Sequence, residues 1–377
     1  MNYRRMKNSE KKVSSLGFGC MRLPAADDRP DRIKTEKAAE MLDYALENGV
    51  NYLDTAWFYH RGESENFLGS YLQSRDARND IYLATKLPTP LVKSKDDLDY
   101  FLQQQLKKLQ TNYIDFYLLH SLREKSWKKL YDIGITDWLL QKKEEGLINH
   151  PGFSFHDDFP AFKKIIDSFP AWDFCQIQYN YLDRKYQAGE KGLDYAWRQD
   201  LDVVIMEPLR GGLLARKPPR AVEKIWEKSS RDISPAARAL EWLWQDERIA
   251  VVLSGMNNIE EVKENVATAA RTGPGSLPQN ETELINKAAA EFKKISPVDC
   301  TGCSYCTPCP EGVRIPKILD LYNNAHIYDG FQNMKEEYYD IDEDRRADAC
   351  IKCQRCEGEC PQDLPVSELM KRVENYF

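Results

Sequence analysis

Between about residue 13 and residue 268 the chain alternates two patterns. Short apolar runs rich in Val, Ile, Tyr and Phe occur at 51–54, 81–85, 113–119, 148–154, 174–178, 202–206 and 250–253, and "SSLGFGC" around Gly17 makes an eighth. Runs of this length and composition suit strands buried on both faces of a parallel sheet. Between them lie stretches of helical period. In "KTEKAAEMLDYALENG" the apolar Ala38, Met41, Leu42, Ala45 and Leu46 share one face, and Gly49 marks the stop.

Eight strand–helix units in roughly 255 residues fit an α/β chain folded as a closed (β/α)8 TIM barrel. A doubly wound open sheet would carry a Gly-x-Gly-x-x-Gly turn after an early strand, and none stands in a suitable position. A Gly/Pro-rich, polar stretch, "RTGPGSLPQNET" at 271–282, reads as a linker. The helical "ELINKAAAEFKKI" then leads into a cysteine-rich tail. The expected division is a barrel over 1–290 and a small, mostly helical domain over 291–377.

Composition narrows the function classes. Hydrophobic content of 42% and charged content of 30% are ordinary for a soluble globular chain. A net charge of −7 gives no basic surface for nucleic acid or an anionic membrane. No apolar run approaches the ~20 residues that span a bilayer. The N-terminal "MNYRRMKNSEKKVSS" has no apolar core behind its charges, so it is not read as a secretory signal. The expected location is the cytoplasm, where cysteines are reduced thiols or metal ligands rather than a disulfide framework.

Barrel chemistry gathers at the C-terminal ends of the strands. There the second run ends on Asp54 with Tyr59 in the following loop, the third brings Lys86 and the fourth His120. A tyrosine of ordinary pKa near ~10 is a poor acid at neutral pH. A neighbouring ammonium favours its phenolate, and a carboxylate holds that ammonium in place. A histidine can hydrogen-bond a carbonyl oxygen or share the proton. The set suits proton donation to an oxygen whose carbon gains hydride. Taken singly, each has a plainer reading: a helix cap, half-buried packing, a solvated lysine, a core histidine. Four of them at successive strand ends carry the argument.

"LGFGCMRLP", "NYLDTAWFYHRGESENFLG", "LATKLP", "YIDFYLLH", "GFSFHDD", "CQIQYNYLD", "MEPLRGGLL" and "EVKEN" together resemble the aldo-keto reductase family, in a branch with an iron–sulfur tail. The resemblance spans about residues 13–268. It implies an oxidoreductase that reduces an aldehyde or ketone with NAD(P)H. Tyr59 would be the general acid, Lys86 and Asp54 its support, and His120 the group that positions the carbonyl.

The resemblance also implies a cofactor groove. Ser154 and Gln176 stand where the family holds the nicotinamide carboxamide, but Phe155 replaces an asparagine and Met206 a stacking tyrosine. Gly211 and Gly212 resemble a loop that lets backbone N–H groups approach the pyrophosphate, although glycine serves an ordinary tight turn equally well. Aligned on Glu264 and Asn265, the two positions that clamp the 2′-phosphate in NADPH-dependent members are Gly255 and Glu261. A carboxylate repels phosphate and accepts from ribose hydroxyls, which gives a slight preference for NAD.

Eight of the ten cysteines lie in two runs, Cys300, Cys303, Cys306 and Cys309, then Cys350, Cys353, Cys356 and Cys360. The second run has the spacing C-x2-C-x2-C-x3-C-P of bacterial two-cluster ferredoxins, and the first differs only in a final gap of two. Zinc would pair two C-x2-C knuckles. The runs point instead to two [4Fe–4S] clusters. Similarity to such ferredoxins implies that Cys300, Cys303, Cys306 and Cys360 hold one cluster, and Cys350, Cys353, Cys356 and Cys309 the other. Cys20 and Cys175 read as small buried hydrophobes.

Partners follow: a small-molecule carbonyl substrate at the barrel and room for a redox protein at the cluster domain. The alternative is an electron-transfer or docking protein whose clusters carry the function and whose nicotinamide binding is weak or absent.

Overall fold

Eight strands close a ring whose interior is apolar at one end and polar at the other. In the computed structural model, residues 1–6, 12–26, 29–328 and 331–377 are described. The strands are β1 (Leu16–Gly19), β2 (Tyr52–Asp54), β3 (Tyr82–Leu87), β4 (Ile114–Leu122), β5 (Ile148–Phe155), β6 (Phe174–Gln178), β7 (Asp202–Met206) and β8 (Ile249–Ser254). They form a closed barrel in chain order, and every pairing is parallel. The (β/α)8 expectation holds, with β6 and β7 at the residues read from sequence. The strands β3 and β4 run further than expected, so Lys86 and His120 lie within them.

The pleat sorts side chains by parity. Tyr52, Ala84, Phe116, Leu118, Phe174 and Val204 pack together inside the ring. A Cβ on Gly152 would lie 2.3 Å from the Phe174 ring, so only glycine leaves that ring its place. Two residues further along four of these strands the interior turns polar: Asp54 follows Tyr52, Lys86 follows Ala84, His120 follows Leu118, and Gln176 follows Phe174. The same register that fills the core therefore assembles a polar layer at the C-terminal ends.

A hairpin of Tyr3–Arg5 and Lys12–Ser14 closes the other end, adding Met6 and Val13 to the interior cluster. Tyr3 Oη donates to Gly49 O at 3.0 Å, just ahead of β2. Helix Thr35–Glu47 buries Ala38, Met41, Leu42 and Ala45, the face read from sequence, with Leu46 half-buried.

By packing, the chain forms two compact units: Met1–Pro208 with Ala239–Leu277, and Leu209–Arg238 with Pro278–Phe377. Residue 290 lies inside the helix Gln279–Ile295, which packs as part of the second unit. That unit is mostly helical, with further helices Ile315–Ile327, Phe331–Tyr339, Arg355–Glu359 and Val366–Tyr376. Its apolar core includes Val298, Ile318, Leu319, Tyr338, Met370 and Phe377, and Cys300, Cys306, Cys309, Cys350 and Cys356 pack against it. Among the described residues no helix is long and apolar enough to cross a membrane.

Candidate active site and cysteine runs

Lys86 is the hub of the polar layer. Its Nζ donates to Asp54 Oδ1 at 2.7 Å, Asp54 Oδ2 at 2.8 Å, Thr55 O at 2.7 Å and Tyr59 Oη at 3.3 Å. Asp54, Tyr59, Lys86 and His120 are all buried. Burial pushes the Lys86 ammonium below its usual pKa, and Asp54 offsets this. Burial likewise raises the Asp54 carboxyl, with Lys86 opposing. Each keeps the other charged, and removing one would leave a buried unpaired charge.

The His120 ring centroid lies 6.1 Å from that of Tyr59, edge to face at 83°. Burial, the Lys86 charge and His156 hold its pKa well below the ordinary imidazole value. His120 is therefore a neutral hydrogen-bonding group at physiological pH. A register shift between Leu119 and Leu122, with Ser121 at φ 53°, aims the end of β4.

Tyr59 stands on a tight turn after β2. The next residues, His60 and Arg61, are left-handed at φ 53° and 55°, at a cost of about 1–2 kcal/mol each. Hydrogen bonds hold the turn: His60 Nδ1 with Pro30 O at 2.7 Å, Thr55 Oγ1 with Ser64 Oγ at 2.8 Å, and Ser64 Oγ to Cys20 O at 3.1 Å.

Sequence reasoning missed the layer that supports Lys86. Glu65 is fully buried and accepts from Thr85 Oγ1 at 2.7 Å and Gln105 Nε2 at 2.6 Å, with Lys108 Nζ at 3.4 Å. Gln105 Nε2 also donates to Lys86 O at 3.0 Å, and Tyr117 Oη donates to Gln105 Oε1 at 2.9 Å. In sequence Glu65 looks like an ordinary acidic residue in a helix's first turn.

The groove residues fall into two groups. Ser154 and Gln176 are buried and paired in register across β5 and β6. Ser154 Oγ accepts from Ser121 N at 2.7 Å. Gln176 Oε1 has no hydrogen-bond partner, while its Nε2 reaches only Met206 Sδ at 3.6 Å. A buried orphan acceptor facing the barrel interior fits a ligand that brings an N–H, as a nicotinamide carboxamide does. Phe155 turns to the outer layer and packs on Phe162 at 5.0 Å. The other group has local partners. Glu261 accepts from Asn257 N at 2.9 Å at the start of helix Ile259–Arg271, and Asn265 Nδ2 donates to Ser254 Oγ at 2.9 Å. Gly211, at φ 65°, packs so closely that a Cβ would lie 2.0 Å from Thr301 O, and Gly212 is at φ 92°. Arg210 pairs with Asp299 beside it.

The two cysteine runs share one backbone pattern. Gly302 and Ser304 are left-handed, both at φ 65°, and Lys352 and Gln354 repeat this at 58° and 59°. In each run these are the second and fourth residues after the first cysteine. Left-handed residues between ordinary ones turn backbone N–H groups into an anion-binding concavity, as at many iron–sulfur sites. Gly302 N already donates to Cys300 Sγ at 3.5 Å. Cys306 has Cys303, Cys300, Cys360 and Cys356 as charged neighbours, whereas Cys356 has Cys350 and Cys309. The fourth cysteine of each run thus neighbours the third of the other, Cys360 beside Cys306 and Cys309 beside Cys356. Among the described residues no three such side chains converge on a point suited to a single metal ion. Donor chemistry and backbone fit [4Fe–4S] groups. Cys20 and Cys175 are fully buried, and burial raises both thiols.

The family model for the aldo/keto reductase family matches residues 15–274, and that for a 4Fe-4S dicluster domain matches residues 299–364. The uncharacterised oxidoreductase YqkF of Bacillus subtilis is 28% identical over 304 residues, 71% of this chain and 91% of that protein. L-galactose dehydrogenase of Arabidopsis thaliana is 26% identical over 332 residues, 78% of this chain and 96% of that protein. A solved aldo-keto reductase from Bacillus halodurans, in its holo form, is similar with a TM-score of 0.64 and 30% identity over 76% of this chain and 96% of its own. An eight-stranded parallel barrel matched over residues 15–274 makes this chain a member of the aldo/keto reductase family, and it carries a 4Fe-4S dicluster domain at residues 299–364.

Proposed function

We propose that the barrel reduces an aldehyde or ketone with a nicotinamide cofactor, Tyr59 acting as general acid. The observation that carries this reading is Lys86 Nζ, buried between the Asp54 carboxylate at 2.7 and 2.8 Å and Tyr59 Oη at 3.3 Å. A bound nicotinamide would supply hydride to the carbonyl carbon. Tyr59 gives its phenolic proton to the oxygen as negative charge develops there. Lys86 stabilises the phenolate left behind, and Asp54 keeps Lys86 charged and in place. Neutral His120 donates a hydrogen bond to the same oxygen and fixes the carbonyl's direction. Ser154 and Gln176 would hold the nicotinamide, and Glu261 near the ribose disposes the site toward NAD, with Asn265 bracing β8.

The eight run cysteines would hold two [4Fe–4S] groups, which supply one-electron transfer. The grouping Cys300, Cys303, Cys306 and Cys360 against Cys350, Cys353, Cys356 and Cys309 is supported by the cross-run neighbours of Cys306 and Cys356. A redox protein is the partner suited to that domain.

Anaerobic, cluster-loaded protein is expected to oxidise NADH in the presence of a model aldehyde. Tyr59→Phe should lower turnover by about 10²–10⁴-fold, the usual worth of a general acid. Unchanged turnover in that variant would sink the reading. The outward turn of Phe155 favours a second reading, an electron-transfer protein with little nicotinamide affinity. Titration showing no NADH binding, with clusters that reduce and reoxidise normally, would favour it.

A further inference from the structure

Tyr59 is held from a side that the tetrad does not include. Its turn, residues 57–62, carries two left-handed residues that are not glycine, His60 and Arg61. Backbone of that kind persists only where its surroundings over-determine it. On one flank His60 Nδ1 meets Pro30 O at 2.7 Å, and Arg61 lies 3.8 Å from Asp31. The other flank is the helix Lys95–Lys108.

Phe101, Gln105 and Lys108 stand at i, i+4 and i+7 and share one face of that helix. Phe101 meets the Trp57 ring edge to face, with centroids 5.1 Å apart. Lys108 Nζ lies 3.7 Å from the centre of the same ring, a cation–π contact. The ammonium also reaches Gly62 O at 3.5 Å and Glu65 Oε2 at 3.4 Å. A Cβ on Gly62 would lie 3.6 Å from Trp57 O and 3.7 Å from Lys108 Nζ, so the two ends of the turn meet beside this one nitrogen. Gln105, between Phe101 and Lys108, donates to Lys86 O at 3.0 Å and to Glu65 Oε1 at 2.6 Å.

Turn and strand are thereby fixed to the same helix. Gln105 holds Lys86 through its backbone, and Lys108, one helical turn further on, holds both ends of the turn that bears Tyr59. The gap set between them is Lys86 Nζ to Tyr59 Oη, 3.3 Å. Proton donation depends steeply on such a gap, and a misplacement of ~1 Å can cost about 10²-fold in rate.

We propose that Lys108 is a positioning residue for Tyr59: its ammonium clasps both ends of the tyrosine's turn to the helix that holds Lys86, and so sets how phenol and ammonium meet. It acts through Tyr59 rather than on the substrate. The inference rests on the proposed reduction, in which Tyr59 is the acid, and adds to it the residue that keeps that acid in place.

The test uses the cluster-loaded full chain and two readouts: turnover of a model aldehyde with NADH, and backbone hydrogen exchange followed by mass spectrometry. Lys108→Met keeps the stem and removes the charge. It strands the Glu65 carboxylate, so Lys108→Met combined with Glu65→Gln is the second variant, with no buried charge left unpaired. Both are expected to lower kcat about 10–100-fold while KM for aldehyde and NADH stays within about twofold. Exchange at residues 57–62 should quicken about tenfold, with the barrel strands exchanging as in wild type. Lys108→Arg, which keeps a cation, should recover most of the turnover and the protection. Wild-type turnover in the double variant, unchanged exchange at 57–62, or faster exchange spread evenly over the barrel would each overturn the clasp and leave the reductase reading standing. If wild type reduces no aldehyde, the reductase reading falls and exchange alone decides: quickening confined to 57–62 upholds the clasp, and unchanged or evenly spread exchange overturns it.

Discussion

The barrel site and the cysteine runs are built by opposite means. Asp54, Lys86, Tyr59 and His120 are buried, and Lys86 alone makes four hydrogen bonds at 2.7–3.3 Å. Strand register and a second layer of Glu65 and Gln105 fix them before any ligand arrives. In the runs, six cysteines are half-buried, Cys353 is exposed and Cys360 is buried. Their backbone is shaped to receive a group, and five of the eight cysteines lie at the edge of that unit's apolar core. The comparison teaches where the organising energy comes from: protein packing in the barrel, metal–thiolate bonds in the cluster domain.

Four substitutions press on that difference. Lys86→Met is expected to have the largest effect, because it strands the Asp54 carboxylate in a dry interior. A loss of about 3–5 kcal/mol in denaturant unfolding is expected, with iron content in the surviving folded protein unchanged.

Acid should act next, through His156. Its pKa is about 4 in the folded chain against ~6.5 when unfolded. Between those values the unfolded chain binds more protons, so stability falls as pH drops through this window and levels off below it. The size is about 3 kcal/mol for this one group. Unfolding midpoints of His156→Gln should be flatter across the same window than those of wild type.

Gly211→Ala probes the cluster unit. The new Cβ meets the Thr301 carbonyl at a left-handed φ, which should cost about 1–3 kcal/mol. A lower melting temperature together with lower iron content would show that this loop and the Cys300 segment are one packed element. Cys353→Ala should be the mildest before metal is added. An exposed side chain contributes within about 0.5 kcal/mol, so metal-free stability should not change. Reconstituted protein should nonetheless retain about half its iron, since each cluster needs four thiolates. A large destabilisation of the metal-free chain would break the contrast.

Much of this was legible in the sequence, and for one physical reason. Parallel barrel strands are largely apolar runs, and polar residues at their C-terminal ends mark the candidate site; Asp54, Lys86 and His120 stand there. The cysteine runs were legible because ligand spacing is local. What was not legible depends on contacts far apart in sequence. The hairpin Tyr3–Arg5 with Lys12–Ser14 is short and charged, and only its docking beneath the barrel makes Met6 and Val13 core residues. Glu65 and Gln105 stand 40 residues apart in the chain, and neither carries a local signal of burial.

The central claim is that the buried Asp54–Lys86–Tyr59 chain donates a proton as hydride reaches a carbonyl carbon. Anaerobic turnover of a model aldehyde with NADH deuterated at its transferable position tests it most directly, with the product read by proton and deuterium NMR. The account predicts deuterium on the carbinol carbon from wild type and almost none formed by Tyr59→Phe. Product bearing only solvent hydrogen at that carbon, or equal yields from the two proteins, would contradict it.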